Sequence, residues 1–141
     1  MGKFRNQSEE VIYQYLINKN YTILEHNKII KDKEFRIEID IIGFYNKNQT
    51  LHFIEVKNWN HFYIHPVIKE IYHRKEKLIL SSKIFINHII NNKKYYKEKC
   101  EYNQLLCLLE KISPWELTVS FDLIWKKQNK IYHFKNILGK N

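Results

Sequence analysis

The chain has 141 residues, 44% of them apolar and 28% charged. That fits one globular domain with its own core, residues 1–141, and excludes a disordered or low-complexity chain. With 24 basic against 15 acidic residues the formal charge is +9, which attracts polyanions through Coulomb forces and counterion release. A composition heavy in Lys, Asn, Ile and Tyr, such as an AT-rich genome also produces, accounts for part of that charge. Two cysteines, Cys100 and Cys107, are too few for a disulfide framework and lack Cys-x-x-Cys spacing. Reduced, partly buried thiols in a cytoplasmic protein are expected. The opening Met-Gly-Lys-Phe-Arg-Asn-Gln carries no apolar signal-peptide core. No run reaches the roughly 18–20 apolar residues of a membrane span, so no membrane partner is expected.

Residues 7–19 are predicted to form a helix, because Ile12, Tyr15, Leu16 and Lys19 fall at i, i+3, i+4 and i+7 and Ser8 or Asn6 would cap it. Glu9 falls toward its buried side, and both Glu9 and Glu10 would complement the helix dipole. Residues 21–31 read as a strand, Lys31–Glu34 as a turn, and residues 35–44 and 50–58 as a hairpin. Pro66 suits the first turn of one long helix, with Ile68, Ile71, Leu78, Phe85 and Ile89 as its apolar seam. His73, Arg74, Lys75 and Lys77 form a basic cluster along it. Residues 91–99 are a polar break, and residues 101–112 a short helix with Leu105, Leu108, Leu109 and Ile112 inward, ended by Pro114. Residues 116–125 and 131–137 are a final pair of strands around Lys-Lys-Gln-Asn-Lys. The expected architecture is α/β, a mixed sheet flanked by helices in the order α-β-β-β-α-(α)-β-β.

The hairpin carries the chemistry. Alternate residues of a strand share a face, so Glu38 and Asp40 project together from the first run, and Glu55 and Lys57 from the second. A register with Phe44 opposite Leu51 sets Asp40 opposite Glu55 and Glu38 opposite Lys57, with cross-strand Cβ atoms about 4.5–5.5 Å apart. Two carboxylates and an ammonium then converge beside the apolar Ile42, Leu51 and Phe53. Mg²⁺ is commonly held by one or two carboxylates plus water and phosphate oxygens, and such an ion serves phosphodiester hydrolysis. Asp40 and Glu55 are suitable ligands, and Lys57 would stabilise the phosphate or orient water. The plain alternative is a cross-strand ion pair of Lys57 with Glu38 or Asp40, contributing about 0.2–1 kcal/mol.

At these residues the chain resembles the YraN-like bacterial family of predicted endonucleases, related to archaeal Holliday-junction resolvases within the PD-(D/E)xK superfamily. Glu9-Glu10-Val-Ile-Tyr-Gln-Tyr15-Leu16 resembles that family's opening helix, and Tyr21–Asn27 its first strand. Glu38-Ile-Asp40-Ile-Ile and Phe53-Ile-Glu55-Val-Lys57 match its central motifs. Ser120-Phe-Asp122-Leu-Ile and Tyr132-His-Phe-Lys-Asn136 resemble its closing strands. The resemblance implies a restriction-endonuclease-like fold and a Mg²⁺- or Mn²⁺-dependent endonuclease acting on DNA, with branched or junction structures among its substrates. It implies Asp40 and Glu55 as metal ligands, Lys57 as the motif lysine, and Glu9 as the helix acid with Glu10 as alternative. Arg74, with Lys75 and Lys77 beside it, would contact phosphate, and a homodimer would suit the cutting of two strands. The chain departs from the family pattern at Ile37, in place of a glycine, in the longer segment between Asn27 and Glu38, at Asn58-Trp59, and over residues 91–116.

The alternative is a nucleic-acid-binding module that keeps the fold without catalysis. His61 and His65, four apart, lack a third ligand and are split by Pro66, so no zinc site is expected. Tyr95-Tyr96 between lysines reads as a solvated loop rather than a base-stacking pair.

Overall fold

The structure is a computed structural model that describes residues 7–58 and 64–139. Helix α1 (Gln7–Asn18) leads into strands β1 (Tyr21–Lys31), β2 (Arg36–Tyr45) and β3 (Thr50–Lys57). Helices α2 (Ile64–His73), α3 (Lys75–Asn91), α4 (Lys93–Lys97) and α5 (Asn103–Leu109) follow, with single 3₁₀ turns at Cys100–Tyr102 and Pro114–Glu116. Strands β4 (Val119–Lys127) and β5 (Lys130–Phe134) complete a five-stranded sheet in the order β1-β2-β3-β4-β5. Every neighbouring pair is antiparallel except β3–β4, which is parallel. Two parallel neighbours need a long crossover, and here the helices between β3 and β4 supply it. The expected mixed α/β sheet flanked by helices is therefore the observed one.

A different core lies on each face. Helix α1 lays Ile12, Tyr13 and Leu16 on one face, against Tyr21, Ile41, Ile54 and Ile124. Burying an aliphatic side chain there contributes about 1.5–3 kcal/mol over leaving it in water. The helix ends at Asn18, and the left-handed backbone of Asn20 (φ 74°) suits a residue just beyond a helix C-terminus. The larger core lies on the other face, where Ile42, Phe44, Leu51, Phe53, Phe121 and Leu123 meet Ile71, Leu78, Phe85 and Ile89 of α2 and α3.

Three local expectations change. The long helix is broken at Arg74, between His73 and Lys75, where the chain (φ −96°, ψ 14°) tightens into an Arg74 N–H to Ile71 carbonyl bond. The polar break contains α4, which buries Tyr96 against Tyr102 and gives its hydroxyl a 2.8 Å bond with His88 Nδ1, while Tyr95 stays exposed. Cys100 and Cys107 are both exposed rather than partly buried; α5 turns Leu105, Leu106 and Leu109 inward and leaves Cys107 on its outer side. His61 lies outside the described residues, as does the side chain of His65. No helix among the described residues is long and apolar enough to cross a membrane.

Candidate active site

Phe44 pairs with Leu51, the expected register, and the β2–β3 ladder runs to Ile41 opposite Ile54. There it ends, one pair short of bringing Asp40 opposite Glu55. Beyond this point β2 stays with β1, pairing Glu38 with Ile29, whereas β3 stays with β4, pairing Lys57 with Trp125. The two strands part, and the Val56 N–H left at the parting donates to Asp40 Oδ2 at 2.8 Å.

The side-chain phase of β2 also slips here. Ile37 and Ile39 join the larger core together with Ile42 and Phe44, a change from odd to even numbering that regular alternation forbids. Asp40 consequently faces a cavity of about 200 Å³ beneath α1, lined by Glu9, Ile12, Tyr13, Asn27, Ile41 and Val56. Glu55 lines a separate hollow with Ile71, Arg74 and Leu78 on the opposite side. The expected single face for Asp40 and Glu55 is thus replaced by two sides of one gap, because the ladder that would have aligned them stops early.

Glu55 is half-buried and bridged. Its Oε2 lies 3.1 Å from Lys57 Nζ, and its Oε1 accepts from Arg74 Nη2 at 3.3 Å. Lys57 therefore pairs along its own strand, and the cross-strand pairs with Glu38 or Asp40 do not form. Burial above all, with the charges of Glu55 and Glu38, raises the Asp40 carboxyl to about 6 against the Val56 hydrogen bond and the Lys57 charge, which lower it. Charge is thus felt across the gap, so a hard cation beside Asp40 and Glu55 would relieve both burial and repulsion. Among the described residues no three of His, Cys, Asp and Glu come together as a metal cage, so any ion there would rely on these two acids, water and substrate oxygens.

Of the two acids on α1, Glu9 is half-buried and lines the Asp40 cavity, whereas Glu10 is exposed. Burial first, then the charges of Glu9 and Asp40, push the Tyr13 phenol up to about 12, which places all three groups in one field. Arg74 reaches the site because the helix breaks there. Lys75 instead lays its ammonium 5.0 Å from the Tyr72 ring, and Lys77 is exposed.

Sequence reasoning did not single out Tyr13 or assign a site role to Asn27. Asn27 lies within β1 in left-handed backbone (φ 49°), an uncommon conformation that marks a constrained position. It also missed a buried network behind the site. Asp122, 1% exposed, accepts at Oδ1 from Ser120 Oγ (2.5 Å) and the Asn136 N–H (3.0 Å). Its Oδ2 accepts from His52 Nδ1 (2.6 Å) and His133 Nε2 (2.8 Å). An ionised carboxylate only accepts, so both ring nitrogens carry their protons. Tyr15 of α1 joins through its hydroxyl, 3.3 Å from His133 Nδ1. Polar residues spaced two apart in apolar strands, such as Ser120 and Asp122, were the available signal.

Fold and site together define a mixed α/β protein with charged side chains gathered where the interior strands β2 and β3 part. The chain belongs to the uncharacterised protein family UPF0102, whose model matches residues 8–125. No curated protein matches it by sequence.

The raised Asp40 carboxyl has a consequence for stability. A group whose folded pKa lies above its unfolded value, here about 6 against 3.8, destabilises the fold once it must ionise. That penalty is absent below pH 4, grows through pH 6 and is full above it. At about 1.4 kcal/mol per pH unit, and allowing for partial solvation, Asp40→Asn is expected to stabilise the protein by about 1–3 kcal/mol at pH 8. It should have little effect at pH 4, since an amide oxygen still accepts from Val56. Urea denaturation at both pH values measures this, and an Asn variant less stable than the parent at pH 8 would contradict it.

Proposed function

We propose that this chain is a divalent-metal-dependent endonuclease that hydrolyses DNA phosphodiester bonds, with branched or junction DNA as its substrate class. What carries the proposal is the parting of β2 and β3, which puts Asp40, with its carboxyl raised to about 6, across a gap from the Glu55–Lys57 pair. Asp40 and Glu55 would hold Mg²⁺ or Mn²⁺, which when bound supplies an activated water and neutralises phosphate charge. The chain's own groups do the rest. Arg74 and Lys57, now on Glu55, present positive charge where a phosphate would enter. Glu9 adds a carboxylate on the cavity side of Asp40, within reach of a water held there. Because Asp40 must be ionised to bind a cation, cleavage is expected to rise with pH through about 6.

A second possibility draws on the double bridging of Glu55, which leaves it paired with two cations. A binding module without catalysis would keep those pairs on DNA. Linear, flap and four-way-junction DNA incubated with Mg²⁺, Mn²⁺ or EDTA separates the two. Cleavage with either metal and none in EDTA is the expected result. Salt-sensitive binding to all three substrates without cleavage in any condition would establish the module instead.

A further inference from the structure

The sheet register places three residues in a row at the site's edge. Lys57 of β3 pairs with Trp125 of β4, and Trp125 pairs with Tyr132 of β5. Directly paired residues of neighbouring strands project from the same face, and strands lie about 4.8 Å apart. Lys57, Trp125 and Tyr132 therefore form a strip about 10 Å long, running outward from the ammonium beside Glu55. The two rings are 5.2 Å apart at their centroids and tilted by 31°. Trp125 is half-buried and Tyr132 is 38% exposed. The strip also lies at the carboxyl ends of the two parallel strands, the end of an α/β sheet where ligands bind.

Beside the strip, toward the β4–β5 turn, charge is of one sign. Lys127 holds its ammonium 5.9 Å from the Trp125 ring centroid and pairs across the β4–β5 turn with Lys130. Lys126 donates to the Gln128 carbonyl at 2.6 Å, bracing that turn. Like charges directly opposite on adjacent strands destabilise a hairpin, and none of these three lysines has an acidic partner within ion-pair distance among the described residues. A polyanion would relieve that repulsion.

We propose that Trp125 and Tyr132 form a shelf on which an unpaired nucleobase stacks, next to the phosphate held at Lys57, while Lys127 and Lys130, on the same face, track the strand beyond it. The shelf rests on the nuclease reading above and sharpens it: the substrate carries unpaired nucleotides beside the scissile bond rather than an uninterrupted duplex. An aromatic face accepts any base, so the shelf selects for unstacking and not for sequence.

Fluorescence anisotropy tests this on two labelled DNA hairpins of the same stem, one blunt and one with a single-stranded tail, with Ca²⁺ in place of Mg²⁺ to suppress cleavage. The full chain is expected to prefer the tailed hairpin. Tyr132→Ala should weaken tailed binding by about 10- to 100-fold and change blunt binding by less than about twofold. Tyr132→Phe, which keeps the ring, should behave as the parent. A parent without tail preference, an equal loss on both hairpins, or no loss on the tailed one would each overturn the shelf. Cleavage measured alongside keeps the two claims apart. A parent that prefers the tail yet never cuts in Mg²⁺ or Mn²⁺ sinks the nuclease and leaves the shelf standing. A cutting parent whose tail preference survives Tyr132→Ala sinks the shelf alone.

Discussion

Lys57→Ala is expected to slow metal-dependent DNA cleavage on the order of 100- to 1,000-fold, the usual effect of deleting one preorganised group that stabilises transition-state charge. The side chain is 19% exposed with its ammonium 3.1 Å from Glu55, so little solvent screens the charge it would offer a phosphate. Stability should change far less, by about 1 kcal/mol or under, because Arg74 still pairs with Glu55 and no acid is stranded. The variant carries a second signature. The Lys57 charge lowers the Asp40 carboxyl, so its removal should move the acid limb of the pH–rate profile to higher pH. Initial rates on a nicked-circle or flap assay between pH 5 and 9 measure both effects. Cleavage within threefold of the parent, with an unmoved acid limb, would remove Lys57 from the chemistry.

Asp122→Ala should cost about 3–5 kcal/mol of folding stability, as breaking a buried, hydrogen-bonded charge cluster generally does. Its carboxylate accepts from four donors on three strands and the segment after β5, and truncation leaves all four facing an apolar interior. Each unpaired buried donor costs about 1–3 kcal/mol, not additively. A domain of this size has roughly 5–15 kcal/mol in total, so the variant should unfold at much lower urea. Asp122→Asn, which keeps the volume and one acceptor, should fall in between and remains measurable if the alanine variant fails to fold. The pH dependence has a definite sign. Burial alone would raise this carboxyl, but the hydrogen bonds from His133, His52 and Ser120 and the His52 charge outweigh it and hold it well below the usual range. A depressed folded pKa contributes stability above about pH 4 and loses it as pH falls further. The parent should therefore weaken on the acid side of pH 4, and Asp122→Asn should lack that slope. A loss below 1 kcal/mol for both variants at pH 7 would show that the cluster does not hold the sheet together.

The two acids illustrate opposite uses of burial. Asp122 is surrounded by donors and stabilises the fold, while Asp40 has one backbone donor, two acidic neighbours and a cavity. A group kept at a cost to stability is the kind found at functional sites. The network and the site are also joined mechanically. Tyr15 links α1 to His133, and the same helix carries Glu9 to the Asp40 cavity.

Features under local control were legible along the chain. Apolar spacing placed α1 with Ile12 and Leu16 inward, though not Tyr13, alternation and turn residues placed β1, β2 and β3, and the assumed register of Phe44 opposite Leu51 is the observed one. The hairpin also brought Asp40, Glu55 and Lys57 into one neighbourhood, because they lie on two consecutive strands. How they face each other depends on contacts between distant strands. Beyond Ile41 and Ile54, β2 continues along β1 and β3 along β4, and β4 lies more than 60 residues away along the chain. The same distance hid Trp125 beside Lys57 and gathered His52, Asp122 and His133 into one cluster, since parallel pairing across a helical crossover leaves no spacing to read. The break at Arg74 follows from packing rather than propensity: no proline or glycine marks it, and the Glu55 carboxylate that receives the guanidinium comes from another element.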